Sequence, residues 1–566
     1  MKGVFSEFEM NNYQYTNAEF DGKYDGNGFN GKFNIKDENI DAEFLGIIDF
    51  KDPEVPVFDF DLTVNNTDLH ALNIIKDYPD SKLSFRGISK LSGRNLDNLN
   101  GVLTLQDVTF TNNNQTLNAN DFFFTSRTEV DHTFFSIRSD YLNGSFIGNF
   151  KYSSIGYTFE KLLTDYLPAI SKENGKNDKK NNKNKVPHLP NVVSIDLSLQ
   201  NTSEISDILA LPYEIGGNSI FQGEIDENAG IIDLLIQLDT LKTEKQLFEN
   251  LSLRVDNTDN KLLLVGRTQL IDQHSDIMNI YLSSEASEDN ILTRLMWQNN
   301  LEVTNAGEIN AKAELKKVNN TLSADIFIRP SQIIISDSVW HMRASDINFY
   351  ADSLICINNF LFENDQQFIH INGKASHDKT DSLTVKMNDL NLDYLMSLLR
   401  LKGVSFGGFI TGDLKLLNLL EEPILLGNLY ADNFSINDSL VADGYLSSTW
   451  DKENNRLIIL GDFTNDAQEE VAQATAYYVP KADSLDIYID AKQFPLTFLN
   501  EYFQGVASNF GGKGAGMLRI YGPTKNILFD GEVDVTDGRA SIDLLNTSYS
   551  FNDRVKLTPY AIHLNN

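Results

Sequence analysis

Histidine and cysteine spacing decides whether this chain could bind a metal or use a thiol nucleophile. The eight histidines, among them His70, His274, His341, His370 and His377, are scattered along the sequence. They show no His-x-x-x-His spacing, and with a single cysteine there is no Cys-x-x-Cys pair, so the ligand spacing of a zinc site is missing. We therefore interpret the histidines as solvated or packed side chains.

The single cysteine, Cys356, excludes an internal disulfide framework. Its neighbours in Leu354-Ile355-Cys356-Ile357 are apolar, which indicates an ordinary strand position. No histidine or basic residue lies within three positions to lower its pKa. A reactive thiol is the alternative interpretation.

Motifs for phosphate binding and acyl transfer are also missing. The sequence contains no Gly-x-Ser-x-Gly elbow and no Gly-x-x-x-x-Gly-Lys-Ser/Thr loop. The glycine-rich stretch 511–516 precedes a predicted strand, so it lacks the helix N-terminus that would hold a phosphate.

Paired acids occur at Asp59 and Asp61 and at Asp486 and Asp490. Each pair falls on the polar face of a predicted strand, where carboxylates keep the strand soluble and discourage aggregation. General acid–base work would require convergence in a pocket with shifted pKa values. We expect no catalytic residues, no metal and no cofactor, and therefore no enzyme.

Length and charge narrow the class of protein further. With 566 residues the chain must form several domains or an extended repeat array. Its 80 acidic and 47 basic side chains give a formal charge of −33, which opposes binding to nucleic acid. The 41% hydrophobic and 11% aromatic content excludes a disordered acidic chain.

Alternating apolar residues dominate the sequence. In 58–64, Phe-Asp-Phe-Asp-Leu-Thr-Val, every second residue is apolar, which puts the apolar side chains on one face of a strand. The same pattern recurs at 193–199 and 485–490. Turn signals separate the strands at 25–28, 256–260 and 451–455, which predicts antiparallel neighbours.

Short helical patterns follow some of these strands. We predict helices near residues 69–77, 160–168, 205–211, 392–401 and 495–504. Those that begin near 69, 205, 392 and 495 are each followed by glycine-rich chain and another strand, so the unit of strand, short helix, glycines and strand recurs.

The two C-terminal copies of this unit align residue by residue. Asp381-Ser382-Leu383 matches Asp483-Ser484-Leu485, 102 positions later. Gly412 then matches Gly516 and Gly427 matches Gly531, both at a separation of 104. The repeat is therefore a module.

Residues 171–186 contain one apolar residue among lysines and asparagines. They cannot form a core, and we predict an insertion without regular structure, whose deletion leaves thermal stability nearly unchanged. A nuclear-localisation or lipid-surface patch is the alternative. The start lacks a secretory signal, no run approaches a membrane span, and both ends fall in patterned segments, so we expect a piece of a longer polypeptide.

Residues 510–562 resemble the C-terminal domain of the TamB family, the translocation and assembly module proteins of double-membraned bacteria. The resemblance lies in Gly-x-Leu-x-Ile-x-Gly at 516–522, an alternating strand, Asp537-Gly538, and a strand with Tyr549-x-Phe551. It covers about fifty residues strongly, the copy at 381–440 more weakly, and the earlier chain only in architecture. The Asn- and Asp-rich composition is similar to that of Bacteroidota members.

This resemblance implies an all-β fold. The expected form is an elongated antiparallel β-sheet curled into a half-pipe (a β-taco) with an apolar groove, built from repeated modules with short helices. The expected modules are 1–170, a disordered insertion at 171–186, 187–380, 381–480, and the start of a TamB C-terminal domain at 481–566.

The resemblance also implies a function. AsmA-like and bridge-like lipid transfer proteins are related, so we expect a periplasmic conduit that carries phospholipid between inner and outer membranes. Partners would be phospholipid acyl chains and an outer-membrane TamA/BamA-like β-barrel protein, with an inner-membrane anchor outside this chain. The lipid-groove candidates are Phe58, Phe60, Leu62, Val64, Val193, Ile195, Leu197, Leu485, Ile487, Ile489, Leu518, Ile520, Val533 and Val535.

Three alternatives stay open at this point. The apolar faces could pack on each other as a closed sandwich core. The chain could be a scaffold for outer-membrane β-barrel protein insertion and secretion, acting through exposed strand edges. It could also be a surface adhesin, which a sealed interior without a groove would favour.

Overall fold

The fold is described from a computed structural model of the chain. The structure describes residues 2–129, 132–171, 189–243, 246–272, 276–318, 320–350, 354–392, 406–421, 424–436, 439–502, 507–523, 528–559 and 561–564. The predicted insertion at 171–186 lies outside the described residues, apart from Ser171.

Strands make up about 71% of the structure and helices about 7%. Because strand exceeds helix so widely, the prediction of an all-β chain with short helices is confirmed. The chain divides into two compact units, Met1–Glu302 and Val303–Asn566. This division falls inside the predicted middle module 187–380.

The first unit contains eighteen described strands. They are β1 Lys2–Met10, β2 Tyr13–Tyr24, β3 Gly28–Lys36, β4 Ile40–Asp49, β5 Val57–Thr67, β6 Lys82–Ser92, β7 Asn100–Asn112, β8 Gln115–Thr128, β9 Thr133–Ser139, β10 Leu142–Asn149, β11 Val192–Leu199, β12 Tyr213–Ile215, β13 Ser219–Asp226, β14 Ile231–Thr243, β15 Leu247–Asp256, β16 Leu262–Ile271, β17 Ile277–Ser287 and β18 Asn290–Asn299.

Pairing in the first unit follows chain order. Each strand from β1 to β10 pairs antiparallel with the next one. β11 then pairs with β13, β12 joins the far end of β14, and the meander continues to β18. Short connections between consecutive strands require this antiparallel arrangement.

The second unit also contains eighteen described strands. They are β19 Ala306–Val318, β20 Thr321–Ile328, β21 Ser331–Ile335, β22 Ser338–Met342, β23 Ser345–Tyr350, β24 Leu354–Asn364, β25 Gln367–Ala375, β26 Ser382–Asn391, β27 Phe406–Leu417, β28 Ile424–Ile436, β29 Ser439–Asp451, β30 Arg456–Thr464, β31 Glu470–Val479, β32 Ser484–Pro495, β33 Ala507–Pro523, β34 Leu528–Ile542, β35 Thr547–Thr558 and β36 Ala561–Leu564.

Its sheet is likewise an antiparallel meander. β19 pairs with both β20 and β21, and β24 pairs with both β22 and β23. From β24 to β36 every strand pairs with the next.

Helix is limited to short segments. Helix α1 spans Tyr152–Thr164 and helix α2 spans Ser203–Ile208; Leu499–Tyr502 forms one further helical turn. The described 3-10 turns are Leu96–Asn98, Pro168–Ile170, Thr258–Asn260, Pro480–Ala482, Leu496–Phe498 and Asp543–Leu545.

Some of the helix predictions are confirmed, and others are misplaced or wrong. The prediction at 205–211 is confirmed with shifted bounds, since α2 spans Ser203–Ile208. The prediction at 495–504 is confirmed over the 3-10 turn Leu496–Phe498 and the helical turn Leu499–Tyr502; residues 503 and 504 lie outside the described residues. The prediction at 160–168 found α1 but missed its start by eight residues. The prediction at 69–77 is wrong, because hydrogen-bonded turns form there and Asn73 takes a positive φ of 56°. Most of 392–401 lies outside the described residues.

Asparagine and aspartate supply most of the positive-φ positions outside glycine. Their short polar side chains tolerate this conformation. Asn113 and Asn114 make the β7–β8 turn in this way. The predicted turns at 25–28, 256–260 and 451–455 all fall between strands, so these turn predictions are confirmed.

The internal repeat is present in the backbone. Gly408 and Gly512, 104 positions apart, have φ values of 107° and 97° at bulges in β27 and β33. Asn433 and Asp537, also 104 apart, have φ values of 51° and 52°. Equivalent strands are therefore bent at equivalent places.

Candidate functional site

One face of the first unit's sheet is apolar from strand to strand. Residues opposite each other in an antiparallel pair share a face. We call a set of residues that stand directly opposite each other on successive strands a row. The row through Leu62 of β5 runs through Phe44, Phe33 and Phe20 on β4, β3 and β2, and through Gly87 on β6. We call this side of the sheet the apolar face of the first unit.

The same face continues through β7–β18. One row starts at Leu103 and runs across eleven strands. Its members are Leu103, Phe124, Ile137, Gly144, Leu197, Phe221, Ile236, Leu253, Gly266, Leu282 and Leu295. Leucine, phenylalanine, isoleucine and glycine occupy every position in the row.

The second unit has an equivalent apolar face. Its row through Ile487 crosses five strands. The members are Ile459, Ala476, Ile487, Ile520 and Phe529. The next row contains Gly461, Ala474, Ile489, Leu518 and Gly531.

Exposure along the apolar faces separates a closed core from an open surface. Phe5 and Phe349 are 46% and 40% exposed, and Phe529 is 40% exposed. The buried apolar residues fall into separate clusters, each drawn mainly from neighbouring strands. A sandwich core would instead bury these rings under a second layer.

Aromatic rings on the apolar face contact each other sideways along the sheet. Phe44 lies 5.2 Å from Phe60 between ring centroids, and Phe135 lies 5.0 Å from Phe124 and 5.6 Å from Phe146. Such edge and tilted contacts stabilise neighbouring strands. They leave ring surface available to an additional apolar group.

The predicted groove residues divide into two groups. Nine are half-buried in the rows described above and in adjacent rows: Phe58, Phe60, Leu62, Leu197, Leu485, Ile487, Ile489, Leu518 and Ile520. We call these nine and Phe529 the exposed band residues of their own unit: Phe58, Phe60, Leu62 and Leu197 belong to the first unit, and the other six belong to the second. Leu62, Leu197 and Leu518 lie at the edge of the covered clusters.

The other five predicted groove residues are covered by the chain itself. Val64 is buried against Leu72 from the turn after β5. Val193 and Ile195 are buried in a cluster with Leu162 of α1. Val533 and Val535 pack with Leu496, which precedes the helical turn Leu499–Tyr502. In this conformation no ligand can reach these five side chains.

The opposite face of the second unit carries ion pairs. Arg519 donates to Asp486 through Nε at 2.7 Å and through a second nitrogen at 2.9 Å. Arg554 contacts Asp534 in the same two-point manner, at 2.7 and 3.1 Å. These hydrogen bonds lower the pKa of both carboxyl groups, so this face stays charged.

At Gly46 the backbone of β4 lies so close to the backbone of β5 that no side chain fits between them. Its φ of 151° is one that side-chain-bearing residues rarely adopt, and a Cβ there would lie 2.3 Å from the Asp59 carbonyl oxygen. The glycine row of Gly22, Gly31 and Gly46 runs across three strands.

The described part of the chain contains neither a metal-ligand cluster nor a helix that could span a membrane. Among the described ranges, no group of three or more His, Cys, Asp and Glu side chains is arranged to hold a metal ion. No helix in the described part of the chain is long and apolar enough to span a membrane.

No family model, curated protein or solved structure matches this chain. The TamB resemblance therefore stays a prediction from the residues at 510–562.

Sequence reasoning missed how α1 is fixed to the sheet. The Glu227 side chain is fully buried and accepts hydrogen bonds from Thr158 at 2.7 Å and Lys161 at 2.8 Å. Asn191, 1% exposed, donates to Thr158 at 2.6 Å. These partners lie more than thirty residues apart, and no local pattern marks them.

Proposed function

We propose that this chain is a passive hydrophobic conduit for phospholipid acyl chains, working between the inner and outer membranes and contributing to outer-membrane biogenesis. The observation that carries the proposal is the exposed band. In the second unit it joins apolar side chains across the neighbouring strands β32, β33 and β34, and it leaves the Phe529 ring 40% exposed to solvent.

Exposed apolar surface of this length requires a covering group. Contact with water is unfavourable by about 25 cal/mol for each Å² of apolar surface. Monomeric soluble proteins rarely carry large continuous apolar patches unless a ligand or partner binds there. An acyl chain is apolar along its whole length and needs no directional contact, so it suits a band without hydrogen-bonding groups.

The charge distribution fits the same occupant. The opposite face carries Arg–Asp ion pairs beside exposed apolar side chains such as Leu460, whereas the residues of the exposed band are all uncharged. A phospholipid bound by its tails would keep its head group in water beyond the strand ends.

The resemblance of residues 510–562 to TamB supplies the proposed location. It supports a periplasmic chain acting with a TamA/BamA-like outer-membrane protein. The scaffold hypothesis comes from the same resemblance, and it predicts no lipid on the exposed band.

Lipid extraction from the purified chain tests the proposal. Mass spectrometry should find co-purified phospholipid, and Ile487→Asp should reduce the amount several-fold because a charge would lie among the acyl chains. The matched control is Leu460→Asp, which adds the same charge at a 48% exposed position on the opposite face of β30. Circular dichroism should show the same strand content in both variants.

The two variants give a clear decision. Loss of lipid in Ile487→Asp with retention in Leu460→Asp supports a conduit. Equal lipid in both variants, or none in the unaltered chain, would contradict it and favour the scaffold.

A further inference from the structure

Helix α1 occupies the apolar face of the first unit where that face would otherwise continue. Its Leu162 belongs to a buried cluster with Val193, Ile195, Ile225 and Ile232, and Ile155 and Phe159 pack against that cluster. Val193 is 1% exposed and Ile232 is 0% exposed. Helix α1 therefore covers this part of the apolar face.

The cover is held by a polar latch and not by apolar contact alone. We define the latch as Thr158 and Lys161 of α1 with Asn191 and Glu227 of the sheet. The Glu227 carboxylate also accepts from the Asn191 backbone N–H at 3.1 Å. Its full burial and its contact with Lys161, whose side chain is 47% exposed, make it a charge pair at the boundary between sheet and helix.

The segment from Ser153 to Ala169, which contains most of α1, is hydrogen-bonded at both ends to turns on the same edge of the sheet. Before β7, Asp97 accepts from the Ser153 backbone N–H and hydroxyl. In the β17–β18 turn, Asp289 accepts from the Ala169 backbone N–H at 2.7 Å. The segment therefore runs along this edge from the start of β7 to the end of β17.

We propose that α1 is a displaceable plug, and that a phospholipid acyl chain binds the apolar surface around Ile195 when α1 has moved away. This inference rests on the proposed conduit function and adds a regulated step to it. In the closed conformation, lipid would reach the apolar face of the first unit on either side of α1 but not the surface beneath it.

Replacing α1 by an acyl chain on the surface around Ile195 changes the free energy of apolar contact little. An acyl chain can replace the apolar contacts that Ile155, Phe159 and Leu162 make with the sheet, so the apolar term changes little. What resists opening is the latch, whose hydrogen bonds must be exchanged for water. Opening also returns the Glu227 carboxylate to water, which lowers the cost of separating it from Lys161.

Helix α1 also contains a weak helix former in its second turn. Gly156 lies inside the helix, where glycine is a poorer helix former than alanine. Beyond its chain neighbours and the nearby backbone of its own helix, a Cβ added at this position would meet no atom within 4 Å, so close packing does not require the glycine. The residue therefore makes α1 easier to displace.

One double variant can both loosen and close the plug. Thr158→Cys with Asn191→Cys, in a Cys356→Ser background, removes the Thr158 and Asn191 side-chain bonds when reduced. Oxidation then joins α1 to the sheet at the place where these side chains now touch. A photo-crosslinking residue at Ile195, probed with fluorescent phosphatidylethanolamine in micelles, reports lipid beneath α1.

The reduced form should capture lipid at Ile195 at least about fivefold more than the oxidised form. A photo-crosslinking residue at Phe60, outside the α1 contact, should capture lipid equally in both forms. Glu227→Gln, which keeps the side-chain volume and removes the charge, should raise capture at Ile195 without any disulfide. This second variant keeps the test decisive if the cysteine pair fails to close.

Three outcomes separate the two proposals. Capture at Phe60 with none at Ile195 in reduced and Glu227→Gln proteins would overturn the plug and make α1 a fixed strut. Equal capture at Ile195 in oxidised and reduced proteins would also overturn it. Absence of capture at Phe60 in every form would instead contradict the conduit.

Discussion

Asp486 and Arg519 form a two-point ion pair across β32 and β33, with Nε 2.7 Å from Oδ1. The pair lies on the opposite face from Ile487 and Ile520, which stand directly across from each other on the apolar face. Adjacent residues of the same two strands therefore carry charge on one side and apolar surface on the other.

This ion pair predicts a pH-dependent effect of Asp486→Asn. Hydrogen bonding to Arg519 lowers the folded-state pKa of Asp486 below its unfolded value. A lowered folded pKa contributes stability above the unfolded pKa, and that stability is lost as pH falls through the folded pKa. Because both side chains are partly exposed, the variant should lose less than about 1 kcal/mol at pH 7.

Urea unfolding followed by circular dichroism at pH 7 and at pH 3 checks this prediction. The difference between the variant and the unaltered chain should shrink at the lower pH. A difference that grows on acidification would show that the pKa of Asp486 is not lowered by Arg519.

Gly46→Ala should destabilise the first unit by about 1–3 kcal/mol. The added Cβ would meet the Asp59 carbonyl oxygen at 2.3 Å, and the φ of 151° is unfavourable for alanine. Gly266→Ala is the control, because a Cβ there meets its nearest neighbour, a Leu253 side-chain atom, at 3.4 Å. Urea midpoints should fall for Gly46→Ala alone; equal midpoints would contradict the close approach.

The repeat predicts equal responses at equivalent glycines. Gly408→Ala and Gly512→Ala should each cost about 1–2 kcal/mol, since both residues have a positive φ at a bulge. A Cβ at either position would lie 2.6 Å from a carbonyl oxygen of the next strand. Hydrogen exchange measured by mass spectrometry should show faster exchange in β27–β28 for one variant and in β33–β34 for the other. Loss of protection in only one of them would show that the two copies are not equivalent.

Gly156→Ala should stabilise helix α1 by about 0.5–1 kcal/mol, because alanine is the better helix former and space is free at this position. Under the plug proposal it should also reduce lipid capture at Ile195. Hydrogen exchange of the α1 amides provides the measurement. Faster exchange of these amides in the variant would contradict the predicted stabilisation.

Strand positions were predictable because alternation is local. Phe58, Phe60, Leu62 and Val64 share one face of β5 as their spacing predicts. The matched glycines at 412 and 516 were also visible as a repeat, and both occupy equivalent register positions, opposite Leu429 and Val533.

The covering segments were not predictable from the same patterns. Helix α1 begins at Tyr152, before its clearest apolar spacing, and the acceptor at its N-terminus is Asp97, more than fifty residues earlier. The turn after β5 resembles a helix in sequence, but Asn73 takes a left-handed conformation there and ends the helical path. Which groove residues a covering segment buries depends on such distant contacts.

Photo-crosslinking at three consecutive residues of β32 tests the conduit most directly. A photoreactive residue at Ile487 faces the exposed band, whereas one at Asp486 or Tyr488 points to the opposite face by strand alternation. The conduit predicts phospholipid capture at Ile487 and little at the two flanking positions. Equal capture at all three positions, or none at Ile487 in a folded protein, would contradict it.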